Sequence, residues 1–222
     1  MIKIENEKVY GFEAAVRGMR NPMNSWDKSD SEYKRIELVE DVDLYEFVFT
    51  VGDNDLKLMK TLAKAGNDHG KFLRMINVTL DITAPLYWWK EFDTYKVGTV
   101  ANSCSTMHKI LSKEFELNDF SYEHLNDESR RYLQMVIDRL EANRKLWFAL
   151  EGDEAKAAWW QIIQSLPSSY NQKRTVQFNY QVLKTMYFAR RNHKLDEWHT
   201  LCDWMEKLPY FKEVCLNADN NN

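Results

Sequence analysis

Glycine, proline and long apolar runs are scarce in this sequence. Seven glycines and four prolines are spread over 222 residues, which excludes collagen-like repeats and Pro/Gly-rich low-complexity chains and favours long regular elements. No apolar run approaches the length of a membrane span, and the first residues, MIKIENEKVY, are charged where a secretory leader would be apolar. We therefore expect a cytoplasmic protein with no membrane partner.

Cysteine and net positive charge are scarce as well. An odd number of cysteines without CxxC spacing or a leader argues for reduced thiols at Cys104, Cys202 and Cys215. The 30 Lys and Arg residues are outnumbered by 34 Asp and Glu residues, so no overall positive field favours a nucleic-acid partner. We expect no nucleic acid to bind.

Recognisable catalytic motifs are missing from the sequence. There is no GxGxxG, no P-loop, no HExxH and no GxSxG. The five histidines lack metal-ligand spacing, so we expect no metal site. Cys104 lies four residues before His108, among hydroxyl residues, but free cysteines usually pack as small apolar side chains. We therefore expect a partly buried thiol there, in preference to a nucleophile.

Aromatic and clustered basic residues are what the sequence does contain. Aromatics make up 14% of the chain, and we expect the pairs Trp88-Trp89 and Trp159-Trp160 to fill a core or an interface more readily than to stack on a flat cofactor. The segment FARRNHK, residues 188–194, places four basic side chains at the end of a predicted helix. It fits equally a phosphate grip and a basic turn that complements the helix dipole.

Hydrophobic periodicity predicts strands early in the chain and helices late. Residues 76–83, INVTLDIT, alternate apolar and polar side chains and predict a strand, after which Pro85 suits a first helical turn. Strands are also predicted at 3–12 and 172–178, whereas 43–51 fits either a strand or a buried helix. Helices are predicted at 12–20, 53–65, 85–92, 127–150, 153–166, 180–191 and 195–208.

The remaining segments complete the predicted architecture. Asp or Asn residues begin the helix at 53–65 and Gly66 ends it, while the polar residues 21–34 predict an exposed loop. Strands followed by a helix-rich half without βαβ repeats predict an α+β fold. We expect one domain over residues 1–215 and a disordered tail at 216–222.

Taken in order, these segments resemble the flavin-dependent thymidylate synthase (ThyX) family. The family has a glycine-ended helix, a histidine-led H-x-[ST]-x-x-E-H segment, a strand, an Ala-Pro pair, the signature RHRxxSxNExSxRY, a Leu-Pro turn and an N-x-R-x-x-L helix followed by an Arg and a Trp. The corresponding positions here are Gly66, His69, 76–83, Ala84-Pro85, a signature window at 94–107, Leu166-Pro167, Asn179, Leu183, Arg190 or Arg191, and Trp198.

The resemblance implies cofactors, partners and site residues. Family members are homotetramers that hold FAD at subunit interfaces, bind dUMP, take a methylene group from methylenetetrahydrofolate and use NADPH to recharge the flavin. The implied FAD-binding residues are His69, Lys96, Asn102, Asn179 and His193. The implied nucleotide-binding residues are Glu91, Ser103, Cys104, Ser105 and Arg190, with the backbone N–H groups of 102–105 facing the phosphate.

Several signature positions carry other residues. Thr94, Tyr95 and Lys96 stand where the family has Arg-His-Arg, so one of two arginine charges is kept. Glu91 stands for a glutamine, and a carboxylate cannot donate a hydrogen bond as an amide does. Further replacements are Arg74 for Glu, Thr99 for Ser, Ala101-Asn102 for Asn-Glu, Thr106-Met107 for Arg-Tyr, and Ile163 and Gln181 for Arg. Lys96, Lys173, Arg174 and Arg191 are the cations that could replace the missing arginines.

The implied activity is reductive methylation of dUMP, or of a related pyrimidine nucleotide, at C5. Two alternatives stay open because a fold does not fix a function. One is an enzyme of the same fold acting on another nucleotide. The other is a non-catalytic nucleotide-binding or structural homologue that has lost the flavin site.

Overall fold

A four-stranded antiparallel sheet organises the protein. The computed structural model describes residues 2–37 and 44–216. The strands within these ranges are β1 (Lys3–Tyr10), β2 (Glu32–Glu37), β3 (Tyr45–Thr50), β4 (Asn77–Pro85), β5 (Val100–Ser103) and β6 (Asn171–Asn179). The main sheet has the order β1-β4-β6-β5, and β2 and β3 form a separate antiparallel hairpin.

Helices follow the strands and dominate the second half of the chain, as predicted. They are α1 (Phe12–Arg20), α2 (Asp53–Lys64), α3 (Leu86–Phe92), α4 (Thr106–Lys109), α5 (Asp127–Ala149), α6 (Gly152–Ser165), α7 (Tyr180–Arg190) and α8 (Asp196–Met205). The predicted α+β class is confirmed, in a single domain.

The main core lies between the sheet and the tryptophan-rich helices. Val78, Leu80 and Ile82 are buried on one face of β4, which confirms the strand predicted from alternation. Trp88 and Trp89 of α3 are fully buried against them and against α8, as expected for the first tryptophan pair. Each large apolar side chain buried in this way contributes about 1.5–3 kcal/mol. The core therefore fixes α3, and with it the loop that follows.

A second, smaller core holds α5 and α6 together. Leu140 of α5 and Ile162 of α6 are fully buried, and Phe120 and Ile110 pack with them from the preceding segment. The second tryptophan pair lies outside both cores, because Trp160 is exposed and Trp159 is half-buried.

A buried ion pair ties the first two helices to the segment between them. Arg20 at the end of α1 donates to Asp55 in α2 at 2.6 Å, and both side chains are buried. Asp55 also accepts hydrogen bonds from the hydroxyls of Ser29 and Ser31, each at 2.6 Å. Burial opposes ionisation of Asp55, but these three donors outweigh it and lower its pKa.

The residue predicted to cap the start of α2 was wrong. The cap position is Gly52, and the side chain of Asp30 accepts the N–H groups of Asn54 and Asp55 at 2.8 and 3.1 Å. A residue distant in the chain thus performs the capping that we expected of Asp53 or Asn54. The glycine end is as predicted, since Gly66 has a φ of +100°.

Other boundaries also differ from the prediction. Pro85 ends β4 and takes the cap position of α3, one residue before the first helical turn. The predicted loop at 21–34 contains two short 3-10 turns and the start of β2, and residues 43–51 contain a strand. β5 was not predicted at all. Leu216 belongs to the last helical turn, and the rest of the predicted tail, 217–222, lies outside the described residues.

None of the helices in the described ranges combines the length and the apolarity that crossing a bilayer requires.

Candidate functional site

Glu91 and Arg190 meet where α3 and α7 end. They lie 99 positions apart in sequence, and Arg190 Nη1 donates to Glu91 Oε2 at 2.9 Å. Arg190 Nε donates to the hydroxyl of Tyr95 at 2.9 Å, and the guanidinium lies 4.8 Å from the ring centroid of Trp198. The arginine is thus held by a carboxylate, a phenol and an aromatic face together.

The same carboxylate oxygen takes two further donors. Trp198 Nε1 donates to Glu91 Oε2 at 3.1 Å, and His193 Nε2 lies 3.3 Å from it. His193 Nδ1 accepts the backbone N–H of Leu195 at 3.1 Å, which places the imidazole proton on Nε2 when the ring is neutral. We call Glu91, Tyr95, Arg190, His193 and Trp198 the Glu91 cluster. It brings together three of the predicted site residues: Glu91, Arg190 and His193.

A small cleft adjoins the Glu91 cluster along the loop after α3. Its volume is about 300 Å³, and it is lined by Phe92, Asp93, Tyr95, Lys96, Thr99 and Ala101. The Thr99 hydroxyl is buried and has no hydrogen-bond partner among the described residues. A buried unpartnered hydroxyl is costly, so it marks a position where a ligand atom or water is expected. We call this the Lys96 cleft.

Gly98 fixes the loop that forms the Lys96 cleft. Its φ is +78°, a conformation that disfavours other residues, and a methyl group there would lie 2.9 Å from Cγ2 of Val182 in α7. The loop therefore packs directly on the first turn of α7, which holds Thr99 beside Lys96.

Two other cations near the site have acidic partners of their own. Arg174 Nη1 donates to Asp93 at 2.7 Å and lies over the Trp89 ring, and Lys173 pairs with Asp81 at 3.1 Å. The pKa of Lys173 is raised by its hydrogen bond to Asp81. Hydrogen bonds from Thr175, Asn6 and Lys173 lower the pKa of Asp81 to about 2. With Arg190 paired to Glu91, these positive charges are compensated within the chain.

Residues 102 and 103 end the edge strand β5, and residues 104 and 105 come directly after it. Asn102 and Ser103 lie on exposed β5, opposite Thr175 and Arg174 of β6. The N–H of Cys104 donates to the Lys173 carbonyl at 2.9 Å, so within one chain this donor already has a partner.

Cys104 and Ser105 differ in their surroundings. The expectation of a partly buried Cys104 thiol was wrong, because Cys104 follows the edge strand β5 and is exposed. The Ser105 hydroxyl accepts the N–H of His108 at 3.2 Å and caps the short helix α4.

Asn179 and His69 lie on neighbouring segments near the start of α7. Asn179 Oδ1 accepts the N–H of Val182 at 3.0 Å and caps α7, which leaves its amide nitrogen directed toward Gly98. His69 is exposed in the turn after Gly66, and Gln181 of α7 donates to Asn67 of that turn at 3.3 Å. These two residues therefore lie outside the Glu91 cluster. They are near the start of α7, the helix that carries Arg190 at its other end.

Two contributors to the site were not predicted to act there. Tyr95 and Thr99 were identified only as departures from the family signature, yet Tyr95 holds Arg190 and Thr99 carries the buried hydroxyl. The position of Thr99 opposite a family serine was the signal that could have found it, since both side chains carry a hydroxyl.

This arrangement of sheet and helices is the fold of ThyX proteins. Two solved structures of flavin-dependent thymidylate synthase ThyX from Helicobacter pylori, each complexed with FAD and dUMP, both match with a TM-score of 0.64. Sequence identity is 17% and 18%, over 97% and 98% of this chain and 99% of each of those chains. No protein-family model and no curated protein sequence matches the chain. At this identity the likeness establishes the fold.

Proposed function

We propose that this protein is a ThyX-like enzyme that methylates dUMP, or a related pyrimidine nucleotide, at C5 with FAD, methylenetetrahydrofolate and NADPH. The observation that carries the proposal is the fold similarity, over nearly the whole chain, to ThyX structures that hold FAD and dUMP. The residues of the site have to be argued separately, because one fold supports several functions.

The Lys96 cleft supports binding of a phosphate-bearing ligand. The buried Thr99 hydroxyl and the Lys96 ammonium are both donors that suit phosphate oxygens. At about 300 Å³ the cleft is at the lower limit of ligand pockets, which span roughly 300–1,000 Å³. We therefore propose that one chain holds only part of a dinucleotide and that a second chain completes the site.

Each site residue has a proposed task in binding or orientation. Bound FAD would supply the hydride chemistry, as redox cofactors generally do. The cofactor would be held by Lys96, Asn102, His69 and the amide nitrogen of Asn179. Both ring nitrogens of His193 have partners within the chain, Leu195 at Nδ1 and Glu91 at Nε2. We therefore propose that His193 positions Glu91 instead of touching the flavin. Arg190 and residues 103–105 would hold the nucleotide.

Assembly and location complete the proposal. We propose a cytoplasmic homotetramer whose subunit contacts cover exposed aromatic side chains such as Phe47 in β3 and Trp160 in α6.

The first test is a flavin titration of the purified protein. We expect FAD absorbance to co-purify or to be taken up at one equivalent per chain, followed by tritium release from C5-labelled dUMP with methylenetetrahydrofolate and NADPH. Tritium release from another pyrimidine nucleotide, but not from dUMP, would change the proposed substrate and leave the proposed class of reaction unchanged.

The Glu91 cluster favours one second candidate, a non-catalytic nucleotide-binding or structural homologue. Arg190 is compensated by Glu91, and its Nε and Nη1 already donate to Tyr95 and Glu91 within the chain. Protein that is colourless, takes up no added FAD and still binds dUMP would support this candidate over the enzyme.

A further inference from the structure

A groove lies where α4 meets the end of α5 and the first half of α6. Its volume is about 650 Å³, and its lining comes from the segment 107–112, from Trp147 and Phe148, and from Lys156 and Trp159. None of the site residues discussed above lines it. We call it the Trp159 groove.

The walls of the Trp159 groove are aromatic and accessible. Phe148 is 64% exposed, Trp147 and Trp159 are half-buried, and Trp159 is held edge-on by Trp160 with ring centroids 4.8 Å apart. Large exposed rings in a concave surface are unusual in a protein without a ligand or partner there. They offer flat faces on which another ring can stack.

The groove is held open by the surrounding packing. Arg144 of α5 donates through Nε to the Leu111 carbonyl at 3.1 Å, and its guanidinium lies 5.3 Å from the Phe148 ring centroid. Ile110, next to this segment, is buried in the same core as α5 and α6. A ligand would therefore find the walls already in place, which limits the ordering cost of binding.

The charge of the lining indicates which class of ligand the Trp159 groove can bind. His108, Lys109 and Lys156 bring basic groups to the rim, and none of the lining residues, all in the described part of the chain, is acidic. This contrasts with the Glu91 cluster, where a carboxylate compensates the arginine. We propose that the Trp159 groove binds a planar aromatic anion, a flat ring that carries a phosphate or carboxylate group.

Two sources could supply this chemistry, and separate probes distinguish them. A nucleoside monophosphate is represented by dUMP and an aromatic carboxylate by folic acid, each titrated by calorimetry. Lys156→Glu reverses one charge of the groove, and Lys145→Glu, on the exposed side of α5 and outside the lining, is the matched control. Because dUMP is also proposed to bind at Arg190, the titrations are repeated in Arg190→Ala. In that variant we expect saturable binding of one probe, weakened at least tenfold by a further Lys156→Glu and less than twofold by a further Lys145→Glu.

Three results would overturn the proposal. These are no saturable binding of either probe, equal effects of the two lysine variants, and loss of binding in Arg190→Ala alone. The last result would place the ligand at the Glu91 cluster and leave the proposed function intact. Phe148→Ala adds an independent check: a change in oligomeric mass would identify the groove as a subunit contact, whereas unchanged mass with weaker binding supports a ligand site.

Discussion

At the residue scale, carboxylates beside the site compensate its cations. Arg190 pairs with Glu91, Arg174 with Asp93 and Lys173 with Asp81. Because each pair is partly exposed, solvent screens its attraction, which is therefore modest. An anionic ligand could therefore displace a carboxylate at low cost, and the pairs adjust ligand affinity more than they stabilise the fold.

Replacing Glu91 by glutamine should strengthen anion binding. Glu91→Gln removes the charge that compensates Arg190, and we expect dUMP to bind about fivefold more tightly, corresponding to about 1 kcal/mol. Arg190→Ala should weaken binding and leave the oligomeric mass unchanged. Calorimetric titration measures the dUMP affinity of the two variants. Glu128→Gln, at an exposed position in the first turn of α5, is the control. Unchanged dUMP affinity in both site variants would remove Arg190 from the nucleotide site.

Asp81 should make stability depend on pH in the acid range. Its folded-state pKa of about 2 lies below its ordinary value of 3.8, so its contribution to stability is complete above about pH 4 and is lost as the pH falls toward 2. Asp81→Asn should therefore reduce the fall in the urea midpoint between pH 4 and pH 2. Asp203→Asn, on an exposed part of α8, should leave that fall unchanged. An identical fall in both variants would contradict the assignment.

At the element scale, strands that pack against the core were predictable and strands exposed at every position were not. β4 buries alternate side chains, so its sequence alternates, whereas β2 and β5 are exposed at every position and their sequences carry no such pattern. β5 is also only four residues long and lies at a sheet edge. Their pairing is set by partners elsewhere in the chain, which periodicity does not report.

Three residues of the Glu91 cluster were predictable from the sequence, but their contacts were not. The family resemblance led to Glu91, Arg190 and His193, and these three do meet. That Arg190 pairs with Glu91 depends on how α3 and α7 pack, across 99 positions of sequence. The same is true of Asp30, whose capping of α2 follows from tertiary packing instead of local sequence.

Asn179 should show separate structural and ligand-binding roles. Its oxygen caps α7, so Asn179→Ala should cost about 1 kcal/mol of unfolding free energy, measured by urea denaturation. Asn179→Asp keeps a capping oxygen and should preserve stability, but it lacks the amide donor that we propose for FAD. Weaker FAD binding in Asn179→Asp at wild-type stability supports the ligand role, whereas equal FAD affinity would restrict Asn179 to capping.

At the scale of the whole molecule, the β2–β3 hairpin exposes more aromatic side chains than we expect of a single chain. In the β2–β3 hairpin, the register places Tyr33, Phe49, Phe47 and Tyr45 on the same face, and Tyr33, Phe47 and Tyr45 are exposed. A two-stranded hairpin is only marginally stable without a covering layer. Contiguous exposed aromatics also mark interaction surfaces. A second copy of the chain, as in the proposed homotetramer, would supply the missing layer.

Phe47→Glu should therefore disturb assembly without unfolding the subunit. Phe47 is 59% exposed, so the single chain tolerates a charge there, whereas at a subunit contact burying its apolar ring contributes about 1.5–3 kcal/mol that glutamate cannot provide. We expect light scattering to report a tetramer for the wild type and a smaller mass for Phe47→Glu, with unchanged circular dichroism. Met23→Glu is the control, because Met23 is 82% exposed and lies outside the hairpin. A tetramer that survives Phe47→Glu would place the subunit contacts elsewhere, and a monomeric wild type would contradict the assembly on which a shared FAD site depends.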